Sequence, residues 1–194
     1  MTAKEEFIKI YTENIKREGA DKLLAFLEKS DFFTAPASTR FHSNFAGGLA
    51  EHSVMVYKRF VKMLTAEYGA VEKWPVTHEG ATIVALLHDV CKTNTYKTEE
   101  RNVKVGNEWV KKPYYAVEDA LPYGHGEKSV FMIGEYMRLN LVEAMAINWH
   151  MGGYDARYAN TNYVLSEAYT KFPVCVLFHT ADLLTTYLDE KCVK

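Results

Sequence analysis

The 194-residue chain is poor in the features that mark several protein classes: it has 3 cysteines, 5 prolines and 11 glycines. Cys91, Cys175 and Cys192 are odd in number and lack CxxC spacing. Neither a disulfide framework nor a cysteine-rich zinc site therefore holds the fold, and reduced thiols in a reducing compartment are expected. No long hydrophobic run is present either. The longest aliphatic stretch, residues 83–87, falls far short of the roughly 20 residues a membrane span needs. The opening MTAKEEF has no apolar signal core, so a cytoplasmic protein without membrane association is expected. Charge of one sign is also missing. With 23 Lys+Arg against 25 Asp+Glu, the chain has no overall field for duplex nucleic acid, whereas a small anionic substrate needs only a local patch.

What remains is an ordinary globular composition, 48% hydrophobic and 13% aromatic, read as a single domain over residues 1–194. A chain this long buries roughly 70% of its unfolded surface. It does not need a metal to fold, so a metal site here would serve function.

Helical periodicity dominates. Thr2 and Glu5 form a capping-box pattern ahead of Phe7, Ile8, Tyr11 and Ile15, and a second helix follows from Asp21. Residues 30–44 read as irregular loop. After Gly47-Gly48, the spacing of Leu49, His52, Val56, Phe60 and Met63 turns His52 inward with an apolar stripe. A helix from about Thr77 carries Ala81, Val84, Leu87 and His88, with Asp89 and then Lys92 following along it. Val103 and Val105 before Gly106-Asn107 predict a β-hairpin insertion around residues 95–115 with a type II′ turn. Helices return over residues 126–139 and 141–150, the latter opened by an Asn140/Glu143 capping box. A Tyr-rich loop then leads to a last helix from Pro173 to about Leu188.

The chemistry lies in six residues at inward or helix-end positions. They are His52 in GGLAEHS, His88 and Asp89 in LLHDVCK, His125 in YGHGEKS, His150 in NWHMGGYD and Asp182 in FHTADLL. Imidazoles and carboxylates converging in a helical core carry a large desolvation cost unless a cation compensates them. The mixed N/O donor set suits Mn²⁺, Fe²⁺, Co²⁺, Ni²⁺ or Zn²⁺. His42 reads as loop, His78 as exposed in the first turn of its helix, and His179 as a residue that orients Asp182.

The motifs GGLxEHS, LLHDxxK, GHGEKS, WHxGG and HxAD, in that order, resemble the HD-domain superfamily of metal-dependent phosphohydrolases, over roughly residues 41–187. The resemblance implies an all-α HD-type bundle with the hairpin inserted. It implies that His52, His88, Asp89 and Asp182 hold one divalent transition metal. Asp89 would bridge to a second ion bound by His125 and His150. The activity it implies is phosphoester hydrolysis by metal-activated water, on a nucleotide or related small phosphate. Asp89 and Lys92 are then the catalytic candidates, and Lys92 and Lys128 the candidate phosphate contacts. Two alternatives stand beside this: a cyclic or oligonucleotide phosphodiesterase, and a metal-containing nucleotide sensor without turnover. The inserted hairpin, with Lys97, Arg101, Lys104, Lys111 and Lys112 among Tyr96, Trp109, Tyr114 and Tyr115, leaves after Lys92 and returns at His125. It reads as a lid or specificity element.

Overall fold

The computed structural model describes residues 1–155 and 157–190; Cys192 lies outside the described residues. They form eight α-helices and one two-stranded antiparallel sheet. The helices are α1 (Ala3–Asn14), α2 (Ala20–Lys29), α3 (Gly48–Tyr68), α4 (His78–Leu87), α5 (His125–Gly134), α6 (Leu141–Asn148), α7 (Tyr158–Lys171) and α8 (Pro173–Leu184). The strands are β1 (Tyr96–Val105) and β2 (Glu108–Val117). No helix among the described residues is long and apolar enough to cross a membrane.

Helix α4 is the centre. Every residue from Gly80 to Leu87 is buried, as expected of a helix that is apolar on all sides, and α1, α3 and α6 pack around it. One contiguous apolar cluster runs from Phe7 in α1 to Ala181 in α8. Phe60 and Phe178, edge to face with centroids 5.0 Å apart, tie α3 to α8. Both expected capping boxes form: Thr2 with Glu5 and Asn140 with Glu143.

The hairpin forms as expected, slightly longer, with Tyr96 opposite Val117 and Val105 opposite Glu108. Gly106 sits at φ 62° while Asn107 keeps a negative φ, as a type II′ turn requires. Its tip is exposed, with Trp109 at 70%. At its base the Glu118 N–H donates to the Thr95 carbonyl at 2.8 Å, and Tyr96 packs on the core.

Four local expectations are corrected. The Tyr-rich segment before Pro173 is not loop but α7, which buries Leu165 and Ala168 against Trp149. Its apolar residues keep a helical spacing, but the Tyr, Asn and Thr around them have modest helix propensity and mask the stripe. Helix α4 ends at Leu87, so Asp89 and Lys92 leave it through a 3₁₀ turn, Val90–Lys92. The last helix stops at Leu184 and widens into a π turn, Thr185–Asp189. His78 is half-buried rather than exposed, with Trp74 5.9 Å away.

A charged knot joins the α1–α2 turn to α4 and α6. Arg17 donates to both carboxylate oxygens of Glu143, at 2.6 and 2.8 Å, and reaches Glu79 at 3.3 Å. The Glu143 side chain is fully buried, while that of Arg17 is 21% exposed. Removing the guanidinium strands a carboxylate inside the protein. Arg17→Met should therefore cost about 3 kcal/mol of unfolding free energy in a urea titration. An Arg17→Met/Glu143→Leu pair should recover most of that loss; equal loss in both variants would deny the stranded-charge account.

Candidate metal centre

Helix ends deliver most of the predicted donors to one place. His88 and Asp89 directly follow α4, His125 opens α5, His150 lies two residues past α6, and Asp182 is in the last turn of α8. His52 alone projects from within a long helix, α3. The start of α5 must lie against the end of α6, where a Cβ on Gly126 would stand 2.2 Å from the Asn148 carbonyl oxygen. Only glycine permits that approach, and it brings the His125 and His150 rings to 5.1 Å between centroids.

The donors form two groups sharing Asp89. In the first, His52 Nε2 and His88 Nε2 are 3.1 Å apart. Asp89 Oδ2 lies 3.5 Å from each, and Asp182 Oδ1 lies 3.4 Å from His52 Nε2. In the second, Asp89 Oδ1 lies 2.8 Å from His125 Nε2 and 3.6 Å from His150 Nε2. Metal–ligand bonds of roughly 2.1 Å separate neighbouring donors by about 3.0–3.4 Å in octahedral or tetrahedral sites. The first group, at 3.1–3.5 Å, comes close to that spacing. All six predicted ligands fall within the donor triads His52–His88–Asp89, His88–His150–Asp182 and Asp89–His125–His150, so His88, His150 and Asp182 also lie together between the two groups.

Ring tautomers sharpen the fit. The Nδ1–H groups of His88 and His150 donate to the Ala85 and Ile147 carbonyls, at 2.9 and 2.6 Å. Such carbonyls at helix C-termini lack helical partners. His52 Nδ1 faces the Glu190 carboxylate. All three rings thus carry their neutral-form proton outside the cluster and turn the Nε2 lone pair inward. The lone pairs of His52 and His88 meet head to head, and the buried His150 Nε2 has no hydrogen-bond partner among the described residues. Such an arrangement calls for a cation, either a proton or a metal ion.

Burial also governs the titration. It pushes His88 down to about 3, against the pull of Asp89 and Asp182. It likewise lowers His42 to about 4, reinforced by the charges of His52 and Lys92. Burial opposes a charge on His52 as well, but there the Glu190 hydrogen bond and the Asp182, Glu190 and Asp89 carboxylates win and raise its pKa. His125 is raised in the same sense, burial being outweighed by Cys91 and Asp89. Burial would raise Asp89, yet Lys92 and His88 hold it well below the usual carboxylate range.

The remaining predicted residues divide. Lys92 donates to Asp89 Oδ2 at 2.6 Å, so its ammonium is at the cluster. Lys128 does not stand free for an anion: it is buried, and donates to Asp119 Oδ1 at 2.5 Å and to Thr95 Oγ1 at 3.3 Å. It anchors the returning end of the hairpin. His179 holds the His150 backbone carbonyl, at 2.7 Å from Nδ1, rather than orienting Asp182. Three neighbours went unread in the sequence: Glu190, Ser43, whose hydroxyl donates to Glu190 Oε2 at 2.7 Å, and Cys91, whose Sγ is 3.5 Å from His125 Nδ1. His42, read as loop, lies with its ring centroid 5.1 Å from that of His52, the planes tilted by 36°. None carries a spacing signal. A surface depression lined by Arg17, Lys22, Tyr136 and Arg138 lies elsewhere.

No family model matches this chain, and no curated protein or solved structure matches it.

The burial of His88 and His42 has a consequence for stability in the metal-free protein. Both have folded pKa values below the unfolded value of roughly 6.5, so each contributes stability above pH 6.5 that is lost as pH falls toward the folded value. His52 and His125, shifted upward, have the opposite sign: their contributions are fully present below pH 6.5. Depressed carboxylates lose theirs only below about pH 4.5. Between pH 6.5 and 5 the two lowered histidines therefore set the slope, with His88 alone worth about 2 kcal/mol by pH 5. Urea unfolding in the presence of a chelator should show this decline, and His88→Phe should flatten it. Flat wild-type stability across that window would contradict the assignment.

Proposed function

We propose that the protein is a metal-dependent phosphohydrolase of the HD type, acting on a nucleotide or related small phosphate. The observation that carries this reading is the set of buried, inward-turned Nε2 atoms around the two oxygens of Asp89, from residues in the order His52, His88-Asp89, His125, His150 and Asp182. His52, His88, Asp89 and Asp182 would hold one divalent transition metal, and Asp89, His125 and His150 a second. Imidazole with carboxylate suits Mn, Fe, Co, Ni or Zn.

A bound ion of this kind lowers the pKa of a water and neutralises charge on a phosphoryl oxygen. The chain's own groups do the rest. His125 and Asp182, with side chains 32% and 15% exposed, are more open than His52, His88 or His150, each at 1% or less. Substrate therefore enters on their side. Lys92 stands on Asp89 with its side chain 13% exposed, close enough to meet a phosphate oxygen. The base of the hairpin flanks the same opening through Tyr96, and Lys128 holds Asp119 where the second strand returns.

The test is metal analysis of the purified protein together with hydrolysis assays on mono-, di- and triphosphate, cyclic and oligonucleotide substrates under each divalent ion. Bound transition metal, lost in Asp89→Asn, with product release from at least one class is the expected result. Metal and nucleotide binding without product would make the protein a sensor, and a metal-free protein that no divalent ion loads would remove the reading altogether. In the same assays Lys92→Met should keep its metal, since removing a cation beside Asp89 does not weaken a second cation there. Its kcat/KM should fall by roughly 10²–10³-fold, the scale of one lost electrostatic stabiliser. Undiminished turnover would reject the phosphate role of Lys92.

A further inference from the structure

His88 and His150 fix their tautomers on backbone carbonyls freed by the ends of α4 and α6. His52 has no such recourse, because it lies within the 21-residue helix α3, whose interior carbonyls are taken by the helix itself. An acceptor for its Nδ1–H must come from a side chain, and the structure supplies one from the far end of the chain. Glu190 presents Oε1 to His52 Nδ1 and receives the Ser43 hydroxyl on Oε2 at 2.7 Å, its side chain fully buried. The segment that carries it is built to arrive there. After α8 the backbone widens into the π turn Thr185–Asp189, a device frequent at functional sites. Thr185, fully buried, donates to the Ala181 carbonyl at 2.8 Å, and the Glu190 N–H donates to the Thr185 carbonyl at 3.1 Å. Next to Glu190, Asp189 takes both arms of Arg59, two helical turns along α3 from His52. Two adjacent acids thus clasp α3, one on an arginine and one on the candidate ligand.

Resting on the metal centre described above, we propose that Glu190 is a positioning residue for it: its carboxylate fixes the His52 ring with Nε2 turned to Asp89 and Asp182, and makes that nitrogen a stronger donor. His52 is then gripped on both sides, with Asp182 Oδ1 at 3.4 Å from Nε2 and Glu190 on Nδ1. A carboxylate on the outer nitrogen of a ligating imidazole both orients the ring and raises its basicity, and losing it typically costs 10–100-fold in metal affinity.

Co²⁺ is the probe, titrated into the full chain against a competing chelator and followed by its visible absorption. Glu190→Gln keeps an acceptor for Nδ1–H and removes the charge, so Co²⁺ affinity should fall about 10–100-fold with an altered spectrum. Ser43→Ala, which releases the other carboxylate oxygen, should lower affinity in the same direction by less, and it keeps the test available should Glu190→Gln fold poorly. Asp189→Asn loosens the same segment from Arg59 without touching His52 and should leave affinity and spectrum unchanged. Wild-type Co²⁺ binding in both Glu190→Gln and Ser43→Ala overturns the proposal, as does a loss in Asp189→Asn equal to that in Glu190→Gln, which would reduce Glu190 to a tether. Failure of the wild-type protein to bind Co²⁺ overturns the metal centre itself, and the proposal with it.

Discussion

Three imidazole lone pairs aimed into one buried space, with two carboxylates beside them, are the arrangement on which the rest of the structure depends. His52, His88 and His150 are essentially inaccessible, and each has spent its ring N–H on a partner outside the cluster. Among the described residues the inner nitrogen of His150 has no hydrogen-bond partner, and those of His52 and His88 face each other. Burial alone drives His88 toward neutrality, while the surrounding carboxylates draw positive charge onto His52. The same pocket therefore asks for one cation and refuses protons at some of its nitrogens. A divalent ion meets both demands at once, since it brings charge without needing a hydrogen at any of them.

The architecture follows from delivering those donors. Polar side chains within a buried helix disturb packing along its length, whereas at helix termini the backbone groups there need partners anyway. Four of the five elements that supply the cluster do so at or just beyond an end. The central helix α4 is buried from Gly80 to Leu87 and apolar there except for Thr82; its packing fixes the backbone that carries His88 and Asp89, and the Ala85 carbonyl and Lys92 hold the two side chains. Where an end must come unusually close, as α5 does at α6, the sequence has Gly126. The exception is His52, and it is the one histidine of the three whose outer partner is a side chain.

Legibility in the sequence tracked how local each cause was. The hairpin turn, both capping boxes and the inward face of α3 rest on contacts within a few residues, and all were readable. So were the six candidate ligands, because residue type and order carry them. Helix α7 was not, since the burial of Leu165 and Ala168 against Trp149 is a tertiary event that outweighs poor helix formers nearby. The pairing of Lys128 with Asp119 was not legible either: the two lie nine positions apart, and it is the return of the hairpin toward α5 that brings them together. Glu190 was invisible, an acidic residue among Asp189 and Lys191 whose importance arises only when the π turn brings it 138 positions back to His52.

Asp89 gives the cluster its polarity. One oxygen faces His52, His88 and Lys92, the other His125 and His150. The first side is the more deeply fixed, with backbone, Glu190 and Ser43 all constraining it, whereas on the second side His125 is the most exposed of the candidate ligands and lies where the hairpin returns. A rigid inner half and an accessible outer half suit different tasks. The inner imidazoles of His52 and His88 are shut from solvent, whereas His125, Asp182 and Lys92 are partly open to it. Because each oxygen of Asp89 serves one side, loss of this single carboxylate would remove a donor from both.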